Sequence, residues 1–330
     1  MFSQKILSWF DKEKRELPWR NKTKNPYYTW LSEIMLQQTT VITVIPYFNN
    51  FIKKWPTLQD LAKASLDEIL IKWQGLGYYS RARNLYQCAL KLAQHFPSDE
   101  NELLKLPGIG PYTAAAIASI AFNQKVAAVD GNVIRVMTRY LALSLPKPFQ
   151  EVKTQLQSYL PEERCGDFTE ALMELGALIC RPKQPACQNC PLQKECKAYL
   201  LNSTDKFPLK VLKAKLPIRY TTAFIIKRED GAILIRKRPH RGLLGGMMEV
   251  PTTPWIEEKI GSSRIKVKHT FTHFHLEVSL SYLDSSSEFE GIWIHPKNLE
   301  KYALPTLMKK IIKAGLKELE QEQNSGGDEL

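Results

Sequence analysis

Four cysteines crowd into one short stretch, Cys180, Cys187, Cys190 and Cys196 in the pattern C-x6-C-x2-C-x5-C, and only Cys88 and Cys165 lie outside it. Whatever this chain folds into must let one compact loop gather four thiols. Thiolates are the ligands that iron-sulfur clusters prefer. Zinc ribbons usually pair two C-x2-4-C knuckles across a longer gap, whereas here a single x2 pair sits in one loop, so the spacing favours a cluster over a structural zinc. A disulfide pair ranks below both.

At 330 residues the chain is long enough for two independent cores. The formal net charge of +12 is shared by both halves, as a phosphate-tracking surface requires, although charge alone is weak evidence for one. No apolar run approaches a membrane span and no secretory leader stands at the N-terminus, so the expected location is cytoplasmic, at the nucleoid if the source is bacterial, with no membrane partner.

Apolar residues recur at helical spacing through residues 1–201, in stretches such as Ile34 to Phe48, Leu66 to Trp73, Ala82 to Phe96, Thr113 to Phe122 and Asp167 to Ile179. This half reads as all-α. Residues 202–217, with two prolines and several lysines, read as a linker. In residues 218–320 the period changes: Tyr220 to Lys227 and Ala232 to Lys237 flank an Asp-Gly pair and predict a hairpin, strands follow at Arg264 to His269 and Phe271 to Leu283, and Thr306 to Leu319 predicts a closing helix. This half is α+β, and residues 321–330 form a polar tail.

Two further motifs carry chemistry. Leu106-Pro107-Gly108-Ile109-Gly110 stands between helical patterns, where Gly108 and Gly110 permit a tight turn whose N–H groups, with the next helix N-terminus, can face a phosphate; the plain alternative is a helix-to-helix turn. Downstream, Val129-Asp130-Gly131-Asn132-Val133 opens another helix, and Asp130 reads either as its N-cap or as a functional carboxylate.

The hairpin, the Val-Asp-Gly-Asn-Val run and the four-cysteine loop, in that order, resemble the helix-hairpin-helix DNA glycosylase superfamily. Trp30 to Thr39 (WLSEIMLQQT), Gly75 to Arg83 (GLGYYSRAR), Arg241 to Gly246 (RGLLGG) and Phe271 to Leu276 (FTHFHL) resemble its MutY-type adenine DNA glycosylases. The likeness covers residues from about Phe10 to about Leu319. It implies two domains, an all-α helix-hairpin-helix glycosylase with an iron-sulfur loop followed by an α+β, Nudix-like domain.

The resemblance also implies a reaction: monofunctional hydrolysis of the N-glycosidic bond of adenine mispaired with 8-oxoguanine or guanine, the base being flipped from double-stranded DNA into a pocket. Glu33 matches the glutamate that protonates adenine, and Asp130 the aspartate that stabilises the cationic sugar. Its apolar neighbours Trp30, Leu31, Ile34, Met35 and Leu36 argue that Glu33 is no solvated helix glutamate, because burial raises a carboxyl's pKa and suits it to donate a proton. Tyr112 stands where strand-cutting members carry a lysine, and is expected to line the site and hydrogen-bond near Asp130. Trp19, Arg20 and Glu174 match the adenine pocket, and Leu36, Gln38 and Tyr78 match residues wedged into the base stack. Cys180, Cys187, Cys190 and Cys196 match the ligands of a four-iron four-sulfur (4Fe-4S) cluster. The partner is DNA, and the chain is expected to act as a monomer.

The second domain lacks the glutamate-rich G-x5-E-x7-R-E-U-x-E-E pattern with which Nudix hydrolases hold magnesium, so a lesion-recognition role through Phe271, Thr272 and His273 is expected instead. Many family members carry serine where this chain has Thr272. The alternative function is an endonuclease III-like glycosylase/lyase acting on oxidised pyrimidines, which position 112 disfavours. A non-catalytic iron-sulfur DNA-binding protein would need neither Glu33 nor Asp130.

Overall fold

The computed structural model describes residues 1–20, 23–92, 95–209, 215–258, 264–283 and 289–325. The helices are α1 (Phe2–Glu13), α2 (Pro26–Leu36), α3 (Val41–Lys54), α4 (Leu58–Lys63), α5 (Leu66–Trp73), α6 (Ser80–Leu92), α7 (Glu100–Leu104), α8 (Pro111–Phe122), α9 (Gly131–Leu141), α10 (Phe149–Gln157), α11 (Cys165–Leu178), α12 (Lys197–Leu200) and α13 (Thr306–Ser325). The strands are β1 (Ile218–Ile226), β2 (Ile233–Lys237), β3 (Met248–Glu249), β4 (Ile265–Thr270), β5 (His275–Leu283) and β6 (Ile292–Ile294). The chain divides into two compact units, residues 1–63 with 84–212 and residues 64–83 with 213–330.

The first unit is helical. On α1, Phe2, Ile6 and Phe10 recur every fourth residue and bury one stripe against Val133 and Met137 of α9 and Phe168, Leu172 and Leu175 of α11. Each such side chain contributes roughly 1.5 to 3 kcal/mol on burial. Helix α8 is different, with Thr113 to Ile120 buried on every face, and its run of alanines lets α2, α7 and α11 pack against it. That places Glu33, carried by α2, beside the first turn of α8.

The helical pattern expected from Ile34 to Phe48 is broken. Helix α2 ends at Leu36, Gln38 adopts a left-handed φ of 58°, and α3 starts after Thr40. Apolar periodicity spans the break because both helices bury a face on the same core, so the pattern alone could not show it.

In the second unit the predicted Asp-Gly turn forms: Gly231 has φ 82° and its N–H donates to the Arg228 carbonyl. The hairpin does not extend. Beyond the Lys227–Ile233 bridge the strands separate into two three-stranded sheets, with β1 parallel to β5 in the order β1-β5-β4, and β2 antiparallel to both neighbours in the order β3-β2-β6. Phe271, Thr272 and His273 are not in a strand as expected. The β4–β5 register pairs Thr270 with His275, so residues 271–274 form the connecting turn, closed by Phe271 N–H to the Phe274 carbonyl at 2.9 Å.

Residues 64–83 group with this unit rather than with a continuous 1–201 domain. Lys237 is paired with Asp67, Gln74 Nε2 donates to the Tyr302 carbonyl and Arg83 donates to the Gly245 carbonyl, contacts between residues more than 150 positions apart that no local pattern announces. The unit boundary at 212/213 falls within the expected 202–217 linker, of which residues 210–214 lie outside the described residues. Helix α13 runs to Ser325, into the expected tail, and residues 326–330 lie outside the description.

Candidate active site

One cavity of about 570 Å³ in the helical unit is lined by Trp19, Arg20, Glu33, Leu36, Gln38, Tyr112, Asp130 and Glu174, bringing together eight residues singled out in the sequence. Glu33 is only 7 % exposed. Its Oε2 accepts a hydrogen bond from the Tyr112 hydroxyl at 2.7 Å. Burial pushes its pKa up to about 7, against the opposing effect of that hydrogen bond and with further upward push from Asp130 and Glu170. The protonated form of the carboxyl is thus favoured far above the ordinary carboxylate range.

Tyr112 lines the site as expected, and the partner of its hydroxyl is Glu33, within electrostatic reach of Asp130. Asp130 caps its helix, Oδ1 accepting from Val133 N–H at 2.7 Å and Oδ2 from Asn132 Nδ2 at 2.8 Å. These bonds hold the carboxylate at the cavity wall.

Three residues that the sequence did not single out complete the site. Arg15 grips Glu174 with two side-chain bonds at 2.7 and 2.8 Å and a backbone bond at 3.0 Å, and Arg20 Nη2 reaches the same carboxylate at 3.0 Å. Burial opposes charge on Glu174, yet the two arginines outweigh it and bring its pKa to about 2. Glu170, one turn earlier on α11, accepts from Arg20 Nε at 2.9 Å. Met173 also lines the cavity, with its sulfur 3.7 Å from the Tyr112 hydroxyl. The acid spacing Asp167, Glu170, Glu174 on a mostly apolar helix was a legible signal; nothing in the local sequence distinguishes Arg15.

Between α7 and α8, Gly108 has φ 76°, and a Cβ there would lie 2.6 Å from Asn84 Cβ, so both the turn and the packing demand glycine. Gly110 caps α8, with Pro111 at its first position. The four cysteines Cys180, Cys187, Cys190 and Cys196 line one small cavity together with Arg139, whose Nη1 lies 3.4 Å from Cys180 Sγ. Burial and the neighbouring thiols push Cys190 up to about 12. Among the described residues no group of three or more His, Cys, Asp or Glu is placed to hold a metal ion, and the four sulfur donors share one cavity.

In the second unit a cavity of about 560 Å³ is lined by Tyr78, Phe271, Thr272 and His273. Tyr78, with a left-handed φ of 47°, sits here, and its hydroxyl accepts from Thr272 Oγ1 at 3.0 Å. Phe271 packs against Trp255, His269 and Phe274. The histidines gather no metal site among the described residues.

Glu33, a buried carboxyl, and Asp130, a helix-capping carboxylate, thus share one cavity of the helical unit. The profile of the HhH-GPD superfamily base excision DNA repair protein matches residues 31–162, and that of the NUDIX domain matches residues 222–314. An adenine DNA glycosylase of Buchnera aphidicola (from Schizaphis graminum) is 35% identical over 94% of this chain and 98% of its own length. One from Arabidopsis thaliana is 37% identical over 88% of this chain, which spans about half (54%) of that longer relative. Among solved structures, a thermostable thymine-DNA glycosylase superposes with TM-score 0.56 and 31% identity over 61% of this chain and 95% of its own. An endonuclease III–DNA complex superposes with TM-score 0.53 and 26% identity over 61% and 94%. The chain belongs to the adenine DNA glycosylase family of base-excision repair enzymes. Among the described residues no helix is long and apolar enough to cross a membrane.

Proposed function

We propose that this chain, acting as a monomer on double-stranded DNA, hydrolyses the N-glycosidic bond of adenine opposite 8-oxoguanine or guanine and leaves the strand uncut. The observation that carries the reading is the buried Glu33 carboxyl, raised to about 7, in one cavity with Asp130. Protonated Glu33 gives its proton to the departing adenine, which leaves as a neutral base. Asp130, ionised and fixed by its cap bonds, stabilises the positive charge left on the sugar, and Glu33, now a carboxylate, accepts a proton from the attacking water. Trp19, Arg20 and Glu174 form the adenine-binding wall, and Leu36 and Gln38, at the end of α2, fill the space the base vacates. Gly108 and Gly110 present backbone N–H groups to a phosphate. Tyr78, Phe271, Thr272 and His273 meet the base opposite the adenine. If its source is bacterial, such a substrate is met in the cytoplasm, at the nucleoid.

Tyr112 supports the uncut strand. A lyase needs an amine to attack the sugar carbon, and a tyrosine whose hydroxyl is held by Glu33 supplies none. Incubation with duplexes carrying adenine opposite 8-oxoguanine, adenine opposite guanine, or oxidised thymine tests both points. Adenine is lost from the first two, the strand breaks only after alkali, and borohydride traps no covalent adduct. Release of oxidised thymine with efficient trapping would establish the glycosylase/lyase alternative.

Cys180, Cys187, Cys190 and Cys196 would hold a 4Fe-4S cluster, which supplies a cross-link to a loop too small for its own apolar core. Arg139 donates to Cys180 and to the carbonyls of Arg181 and Pro182, bracing that loop. The purified protein is expected to be brown and to contain about four irons per chain. Metal analysis finding one zinc and no iron would overturn this.

A further inference from the structure

Glu170 is a buried carboxylate that none of these roles uses. It lines the same cavity as Glu33, accepts from Arg20 Nε at 2.9 Å, and lies 3.4 Å from Lys24 Nζ. The other arms of Arg20 are also engaged, Nη1 with the Arg15 carbonyl at 3.0 Å and Nη2 with Glu174 at 3.0 Å. Three anchors thus fix the guanidinium plane of Arg20, and two of its five N–H donors are left over from these bonds. The cavity's charges are also unequal, with Glu33, Asp130, Glu170 and Glu174 set against Arg15 and Arg20.

We propose that Glu170 is a positioning residue for adenine excision, which locks Arg20 into the cavity wall and adds a further carboxylate to the cavity that holds Glu33. This rests on the reading of Glu33 as proton donor. The groups facing Glu33 are Tyr112 from α8, Asp130 from the start of α9, Arg20 from the segment before α2 and Glu170 from α11; those facing Glu170 are Arg20 and Lys24, with Asp167 sharing Lys24. Burial is the main reason that Glu33 holds its proton to about pH 7, and Glu170 acts in the same direction. Lys24 leaves that charge only partly neutralised, because its ammonium is shared with Asp167 and is one-third exposed.

Single-turnover excision from a duplex with adenine opposite 8-oxoguanine, followed across pH on both sides of 7 for the parent, Glu170→Gln, Glu170→Ala and Glu33→Gln, tests the assignment. A glutamine oxygen can still accept from Arg20 Nε. Glu170→Gln is therefore expected to keep the parent rate at low pH within about twofold, while the fall of rate with rising pH moves down by roughly half to one unit. Glu170→Ala releases Arg20 and is expected to lose roughly 10- to 100-fold at every pH. A purely structural glutamate would change the rate without moving the pH midpoint. An unmoved midpoint in Glu170→Gln, with Glu33→Gln inactive, overturns the role of Glu170 and leaves the donor reading standing. Excision at the parent rate by Glu33→Gln overturns both. Should Glu170→Ala fail to fold, the midpoint of Glu170→Gln decides alone.

Discussion

Glu33→Gln is expected to bind mispaired duplex as the parent does and to lose roughly 10²- to 10⁴-fold in excision rate, the range a positioned proton donor supplies. The amide is the same size as the acid and its oxygen can still accept the Tyr112 hydroxyl, so the cavity keeps its shape while the transferable proton disappears. The parent enzyme carries a matching signature. Because the active form of Glu33 is the protonated one, the single-turnover rate is expected to fall about tenfold per unit as pH rises beyond about 7. Asp130→Asn makes a sharper test. Asparagine caps helices as well as aspartate does, so α9 and its bond from Val133 survive, while the negative charge and the bond from Asn132 Nδ2 are lost. A drop of at least ~100-fold, without loss of thermal stability, is expected from removing an electrostatic partner of the developing cation. Parent-like rates in both variants would show that neither carboxyl takes part.

The second large effect is on stability. Glu174 is 1 % exposed and holds two arginines, Arg15 and Arg20, by four hydrogen bonds. Glu174→Ala leaves Arg20, itself mostly buried, with half its compensation gone, and breaking a buried ion pair from one side costs about 3 to 5 kcal/mol. Arg15 is one-third exposed and recovers some hydration, so the lower end of that range is expected. The midpoint of urea unfolding measures it, and a shift equivalent to less than about 1 kcal/mol would mean that the pairs are no better than surface bridges. The same carboxyl predicts acid sensitivity. Its folded pKa of about 2 lies below the ordinary 4.5, so its contribution is complete above 4.5 and is lost as pH falls from there through about 2. Glu174→Ala should therefore flatten the acid limb of the stability profile.

The burial of Glu33 and the helix start at Asp130 were legible in the sequence because each sits in a run whose neighbours betray its environment: apolar residues on both sides of Glu33, and a Gly-Asn pair after Asp130. The same holds for Gly108, whose neighbours announce a turn, and for the four cysteines, whose chemistry is carried by spacing. These are properties of contiguous residues. The turn at Gly231 belongs with them, since an Asp-Gly pair bends the chain whatever follows.

What followed was not local. The strands on either side of that turn part into different sheets because β1 finds a parallel partner in β5, about fifty residues on, and a parallel pairing leaves no mark in either strand's own period. The break between α2 and α3 was hidden for a related reason, a continuous apolar stripe being equally consistent with one helix or two. The hydroxyl of Tyr112 meets Glu33 while the oxygens of Asp130 accept from α9, an arrangement settled by three elements meeting. Arg15 and Glu170 entered the site only when the segment before α2 folded against α11, joining residues some 150 positions apart through charge. The sequence by itself determined which chemical groups exist and which short loops must close. Tertiary packing decided which of those groups share a cavity, and with that the pKa of Glu33, because desolvation and neighbouring charge depend on distance through space.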